Sequence, residues 1–177
     1  MKKIAVIFSS KYGATKKYAT WISEELGADL FDMTNVKPSQ ISYYDVVVYG
    51  GSLYAGGISG IKFITKNKPQ KLIVFTVGLA DPATTDFSAI LKRNFNPALL
   101  NDVKVFHLRG GIDYKKISII HRIMMVFMKY FTLFTLRKKS PEEYTEEDRL
   151  FFETYGKKID FTDQLTIKPL VDYIRAL

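Results

Sequence analysis

Three unbroken apolar runs, rich in β-branched residues, constrain this chain more than any other feature: Ile4-Ala5-Val6-Ile7-Phe8, Val46-Val47-Val48-Tyr49 and Leu72-Ile73-Val74-Phe75. A strand with one face in water alternates apolar and polar residues. A strand that is apolar at every position needs cover on both faces. Helices on either side of a parallel sheet supply that cover. Weaker strand signals at 28–33 and 103–108 bring the number to five, and helical patterns at about 16–26, 58–66 and 85–94 separate them. The alternation predicts an α/β fold, an open, doubly wound, five-stranded parallel sheet. Right-handed crossovers leave few topologies. Of these, strand order 2-1-3-4-5 makes strands one and three neighbours, with their loops facing across a switch point. Gly27 is placed to end the first helix, Pro38 excludes a central strand at 36–40, and Pro97 follows the end of the helix at 85–94. Ser140-Pro141-Glu142-Glu143 reads as a helix start, and Thr162-Asp163 is placed to cap a final helix through Leu177 with Pro169 near its first turn.

The first strand runs into Ser9, Ser10, Lys11, Tyr12, Gly13, Ala14 and Thr15, and a helical pattern follows. Free backbone N–H groups and the helix dipole favour an anion at such a junction. Hydroxyls at Ser9, Ser10 and Thr15 add donors. The stretch is neither G-x-x-x-x-G-K-[ST] nor G-x-G-x-x-G, which excludes the nucleoside triphosphate loop and the dinucleotide fingerprint. An ordinary strand-to-helix turn with Thr15 as N-cap is the alternative. A second glycine-rich stretch, 50–57, follows the third strand, and a third, 76–82, follows the fourth. Both are expected to be loops at the carboxyl edge of the sheet, where a switch-point cofactor would sit.

The hydroxyl-rich first loop, with Ser10, Gly13 and Thr15, resembles the FMN phosphate loop of the flavodoxin family. A closer resemblance is to menaquinone-dependent protoporphyrinogen IX dehydrogenases, flavodoxin-like enzymes of bacterial haem synthesis. It rests on Phe8-Ser9-Ser10-Lys11-Tyr12-Gly13-Ala14-Thr15, on Gly50-Gly51-Ser52-Leu53-Tyr54-Ala55-Gly56, on a basic, apolar insertion after the fifth strand, and on Phe161-Thr162-Asp163. Ser10 stands where that family has threonine, and Tyr54 where it has a basic residue. The resemblance implies an FMN-dependent oxidoreductase that passes electrons from a hydrophobic substrate through FMN to a quinone. It assigns the cofactor to Ser9–Thr15 for the phosphate, and to Ser52, Leu53, Tyr54, Ala55 and Gly56 with Thr76, Val77, Gly78 and Leu79 for the ring. Tyr54 would cover one ring face. No catalytic residue is singled out: His107 reads as a packed strand residue and His121 as a solvated one, neither with metal-ligand company.

The 177 residues suffice for a single domain, expected to carry a helical apolar insertion at about 112–160. There is no cysteine, which removes thiolate chemistry and Cys-ligated metals. No signal peptide is evident after Met1-Lys2-Lys3, and a cytoplasmic protein is expected. The net charge of +8 is concentrated: residues 104–139 hold nine Lys/Arg and one acid, so the rest of the chain is balanced. A localised basic face suits an anionic partner.

Within that region Lys115, Ser118, Arg122, Lys129 and Thr132 fall on one helical stripe, and apolar residues fill the rest of 117–136. The apolar arc is too wide for a helix resting on a soluble surface. Spanning a membrane is not expected, because each cation at depth costs about 3 kcal/mol. Three readings stay open: packing on the domain or on a second copy as a homodimer, peripheral contact of 113–139 with the inner face of a membrane, or an apolar lid that receives a quinone or other hydrophobic small molecule. Nucleic acid is not expected, since aromatic and basic residues are not interleaved on a polar face. Two further functions compete with the oxidoreductase: a flavodoxin-type electron carrier without a substrate of its own, and an interaction domain that has lost its flavin. Carrier flavodoxins are typically acidic, which the charge here opposes, and the intact first loop opposes loss of the flavin.

Overall fold

The computed structural model of the chain describes residues 2–115, 117–137 and 143–177. Its elements begin with β1 (Ile4–Ser9), α1 (Ala14–Leu26), β2 (Asp29–Asp32), α2 (Pro38–Ile41), β3 (Val46–Tyr54) and β4 (Gly57–Ile58). They continue with α3 (Ile61–Lys66), β5 (Leu72–Gly78), α4 (Ser88–Asn94), α5 (Pro97–Asp102) and β6 (Lys104–Arg109). After these come β7 (Gly111–Asp113), α6 (Ile119–Leu136), α7 (Glu146–Thr154), β8 (Lys158–Asp160) and α8 (Lys168–Arg175). Two compact units result, Met1–Gly110 with Phe161–Leu177, and Gly111–Asp160.

In the first unit five strands pair in parallel in the order β2–β1–β3–β5–β6, which is the expected 2-1-3-4-5. Successive side chains of a strand leave on opposite faces, and two cores form accordingly. Val6, Phe8, Val46, Val48, Ile73 and Phe75 meet α1 and α8 through Tyr18, Ile22, Leu170 and Ile174. Ala5, Ile7, Val47, Tyr49, Leu72 and Val74 meet the helices of the other face through Ile41, Ile61 and Ile64. Each fully buried Val, Ile, Leu or Phe contributes about 1.5–3 kcal/mol. The unbroken apolar runs thus serve two cores at once.

Four expectations need correction. Gly50 to Tyr54 is not a loop: β3 continues through it for nine residues. A Cβ on Gly50 would lie 2.1 Å from the Phe75 ring, and one on Gly51 would lie 2.5 Å from Ile58. These glycines make room for neighbouring side chains inside a strand, a use that sequence alone does not separate from a turn. Val77 and Gly78 likewise belong to β5. Pro97 does not only end the preceding helix. It occupies the first turn of α5, which Asn96 caps by accepting from Leu99 N–H. At the C-terminus, Asp163 caps a short 3-10 turn and not α8 itself, whose N-cap, Ile167, offers no side-chain cap; Pro169 lies in the first turn of α8, as expected.

The second unit pairs β7 with β8 antiparallel and contains α6 and α7. Thr145 and Asp148 form a reciprocal capping box at the start of α7. Of the helix start expected at 140–143, residues 140–142 lie outside the described residues, as do Lys116, Lys138 and Lys139.

Leu53 pairs with Ile58 and Tyr54 with Gly57, so Ala55 and Gly56 form a two-residue hairpin turn, with φ of 47° and 73°. Positive φ at both positions marks a type I′ turn, which favours Asn-Gly. Alanine is strained there, and Ala55→Asn is expected to stabilise the chain by about 1 kcal/mol. The corresponding rise in Tm is roughly 2–4 °C by calorimetry.

His107 is half-buried, stacks on Phe87 at 3.7 Å between centroids, and shares a hydrogen bond through Nδ1 with the buried hydroxyl of Thr76. Burial pushes its pKa down from 6.5 to about 4. Below pH 6.5 the unfolded chain binds a proton that the folded chain refuses, so this contribution to stability is present above pH 6.5 and lost as pH falls toward 4. His107→Asn is expected to flatten that part of the stability profile, measured as denaturant midpoints across the range; parallel profiles would contradict the assignment.

Candidate functional site

The register of the sheet lines up its carboxyl edge. Ser9 pairs with Gly51, Gly51 with Thr76, and Thr76 with His107. One step further, Ser52 pairs with Val77, and Gly78 pairs with Arg109. The three segments singled out from the sequence therefore leave the sheet at one edge.

The first is the turn from β1 into α1. Gly13 is the N-cap, at φ 97°, and no side chain caps the helix. The cap is thus not Thr15, which lies inside the first turn and is buried. Gly13 N–H donates to Ser10 Oγ (3.1 Å). The Ser10 hydroxyl keeps its own hydrogen for another acceptor. The N–H groups of Ala14, Thr15 and Lys16 have no acceptor within the helix, and nothing stands within 4 Å of the position a Gly13 Cβ would take. Open space, converging N–H groups, a hydroxyl and the positive end of a 13-residue helix occur together here. Lys11, Lys16 and Lys17 are exposed beside the turn. The chemistry is that of an anion cradle.

The second segment, Ser52 to Gly56, is the hairpin of β3 and β4. Its turn is held from α4. Asn94 donates from Nδ2 to Gly56 O (2.9 Å) and accepts from Ile58 N–H (2.9 Å). Arg93 Nη1 donates to Ala55 O (3.0 Å). Tyr54 is exposed, and Lys11 Nζ lies 5.5 Å from its ring centroid, which brings the first turn and the hairpin together.

The third segment is the end of β5. A Cβ on Gly78 would lie 3.1 Å from Leu53 Cδ1, so the missing side chain admits the hairpin. Gly110 N–H donates to Gly78 O (2.6 Å). Arg109 then fastens the following turn: Nε donates to Leu79 O (3.2 Å), Nη1 meets Asp81 (3.4 Å), and the guanidinium lies 3.9 Å from the Phe161 ring. Tyr18 ties α1 to this corner, donating to Arg109 O (2.8 Å) and accepting from Asp163 N–H (3.1 Å).

All the expected site residues thus flank one edge. Sequence reasoning missed the residues that position them, Arg93, Asn94 and Arg109. The first two end a helix and the third ends a strand, and no local pattern marks such partners. His107 lies in the same register row, enclosed by Thr76 and Phe87. His121 lies in α6, and its side chain is outside the described residues.

An uncharacterised protein of Methanocaldococcus jannaschii is 34% identical over 83 residues, covering 44% of this chain and 55% of that protein. The chain thus spans about half the length of that relative. Oxidised flavodoxin 2 from Bacillus cereus is similar at 17% identity over 60% of this chain and 84% of its own, with a TM-score of 0.45. A flavoprotein in complex with FMN from Lactobacillus acidophilus is similar at 13% identity over 62% of this chain and 93% of its own, with a TM-score of 0.42. The flavodoxin domain family matches residues 5–133, most of the chain and both the first turn and the hairpin, and the chain therefore belongs to that family.

Proposed function

We propose that this chain is an FMN-binding oxidoreductase whose cofactor lies along the carboxyl edge formed by β1, β3 and β5. The observation that carries the reading is the uncapped, open start of α1 at Gly13, aligned by the sheet with the hairpin and with the end of β5. The residues fit the group. A phosphate dianion finds the N–H groups of Ala14, Thr15 and Lys16 at the start of α1, the Ser10 hydroxyl and nearby lysines. Tyr54, exposed on its tethered turn, covers one face of the ring. Peptide groups of Val77 and Gly78 border it, with Leu79 held in place by Arg109. FMN, when bound, supplies a ring that accepts and returns electrons.

The narrower form of the reading is transfer from a hydrophobic substrate, such as a porphyrinogen, to a quinone. It draws support from the motifs at 8–15, 50–56 and 161–163 and from the apolar, basic insertion. A flavodoxin-type carrier is the alternative, and its docking on a basic partner is opposed by the charge of +8. Quinone-linked turnover with a porphyrinogen separates the two: a carrier is reduced by a reductase and turns over neither compound.

The cofactor is tested by adding FMN, desalting, and recording the visible spectrum. Stoichiometric flavin bands are expected; a colourless protein that fails to quench FMN fluorescence would refute the reading. Gly13→Asp is expected to weaken FMN binding by at least about tenfold, because it places a carboxylate where the phosphate belongs. Gly13→Asn has nearly the same shape and tolerates positive φ, and it should retain most of the affinity. Equal loss in both variants would assign the effect to the backbone and not to an anion site.

A further inference from the structure

Helix α6 turns a large apolar face outward. A helix that rests on a core turns its apolar stripe inward. Here Ile119, Ile123, Phe127, Tyr130, Phe131 and Phe134 are 61–75% exposed. Lys129, Thr132 and Thr135 are half-buried, with Lys129 Nζ 4.8 Å from the Tyr155 ring, and Leu136 is buried. The exposed six recur at intervals of four and three residues and so form one continuous stripe. Over the second half of the helix, polar residues expected to face water are thus less exposed than the aromatic ones, while Arg122 nearer its start is exposed. Six large side chains so exposed make a patch at or above the roughly 300–600 Å² that is largest on a typical monomer, and such patches mark surfaces covered in use.

Charge identifies what covers this one. From Tyr114 to Pro141 there are seven Lys/Arg and no acid. Arg122 is exposed at the margin of the stripe, and Lys115 and Arg137 are exposed at its two ends. Among the described residues no helix is long and apolar enough to cross a membrane. A helix that lies flat in the headgroup region needs an aromatic and aliphatic face with cations around it. A second copy packed by a two-fold axis would bring these basic margins together, with no acid in the segment to answer them.

We propose that the exposed face of α6 docks on an anionic phospholipid bilayer, with the helix in the plane of the surface. The aromatic stripe enters the boundary between headgroups and acyl chains, where a tyrosine such as Tyr130 keeps its hydroxyl wet. Lys115, Arg122 and Arg137 meet lipid phosphates, each adding to the attraction of a negative surface.

The test is flotation of the full chain with vesicles of phosphatidylcholine, alone or mixed with phosphatidylglycerol, at low and high salt. The chain is expected to float with the mixed vesicles, much less with phosphatidylcholine alone, and less as salt rises. Phe127→Glu with Phe131→Glu, both at exposed positions, should abolish flotation while leaving the far-UV circular dichroism unchanged. Arg122→Gln with Arg137→Gln should cut partitioning roughly tenfold or more and reduce its salt dependence. Absence of flotation on either vesicle would overturn the proposal, as would equal flotation on both that ignores salt. A dimer by light scattering that the Phe pair converts to monomer, without vesicle binding, would assign the face to a second copy instead. None of these readouts involves flavin, so the proposal stands or falls apart from the cofactor reading.

Discussion

Parallel pairing is the constraint on which the rest of the first unit depends. Strands that run in one direction end on one side, and their register decides which residues meet there. The row Ser9, Gly51, Thr76, His107 follows from the same pairing that sets Val6 beside Val48 and Val48 beside Ile73. A slip of one residue in any of these strands would exchange its two faces. Both cores would then lose their complement, and the edge would lose its alignment. Packing and site geometry are therefore one property of the sheet. An apolar residue such as Val48 helps secure the position of Gly51, three residues later in the same strand.

Much of this was legible because the signals are periodic or local. Unbroken apolar runs report strands covered on both faces, and Gly27, with φ 58°, ends α1 as its position suggests. The errors share a cause. Gly50 and Gly51 look like a turn because glycine serves two purposes, conformational freedom and absence of bulk, and only the neighbouring Phe75 and Ile58 reveal which is in use. Pro97 looked like a stop because a proline that ends one helix can open the next. Asn94 and Arg109 carry no mark at all in the sequence: their importance comes from partners 38 and 30 residues away. Long-range hydrogen bonds of this kind have no local period, so pattern reading passes over them.

The second unit shows a different limit. The sequence displays a narrow polar stripe on 119–136 and a wide apolar arc, but a wheel does not say which side is outward. Ordinary preference places the polar stripe in water. Over the second half of the helix, Lys129 and Thr132 are half-buried while Phe127 and Phe134 are exposed, which is the opposite. Tyr155 accounts for part of it, since an aromatic face accepts a lysine and lets the polar side turn in. Composition announced that this helix was unusual, and tertiary contacts settled its rotation.

The tether from α4 to the β3–β4 hairpin has a kinetic side. A free loop surrenders its conformational freedom when a ligand arrives, and that loss is subtracted from the affinity. With Asn94 and Arg93 gripping residues 55 to 58 from a helix, the freedom of this turn is given up when the chain folds. Any molecule that settles against Tyr54 meets a wall already standing. Its dwell time then reflects the contacts it makes, with little deduction for ordering the wall, and loosening the grip at Asn94 would shorten that dwell with no change in the contacts themselves.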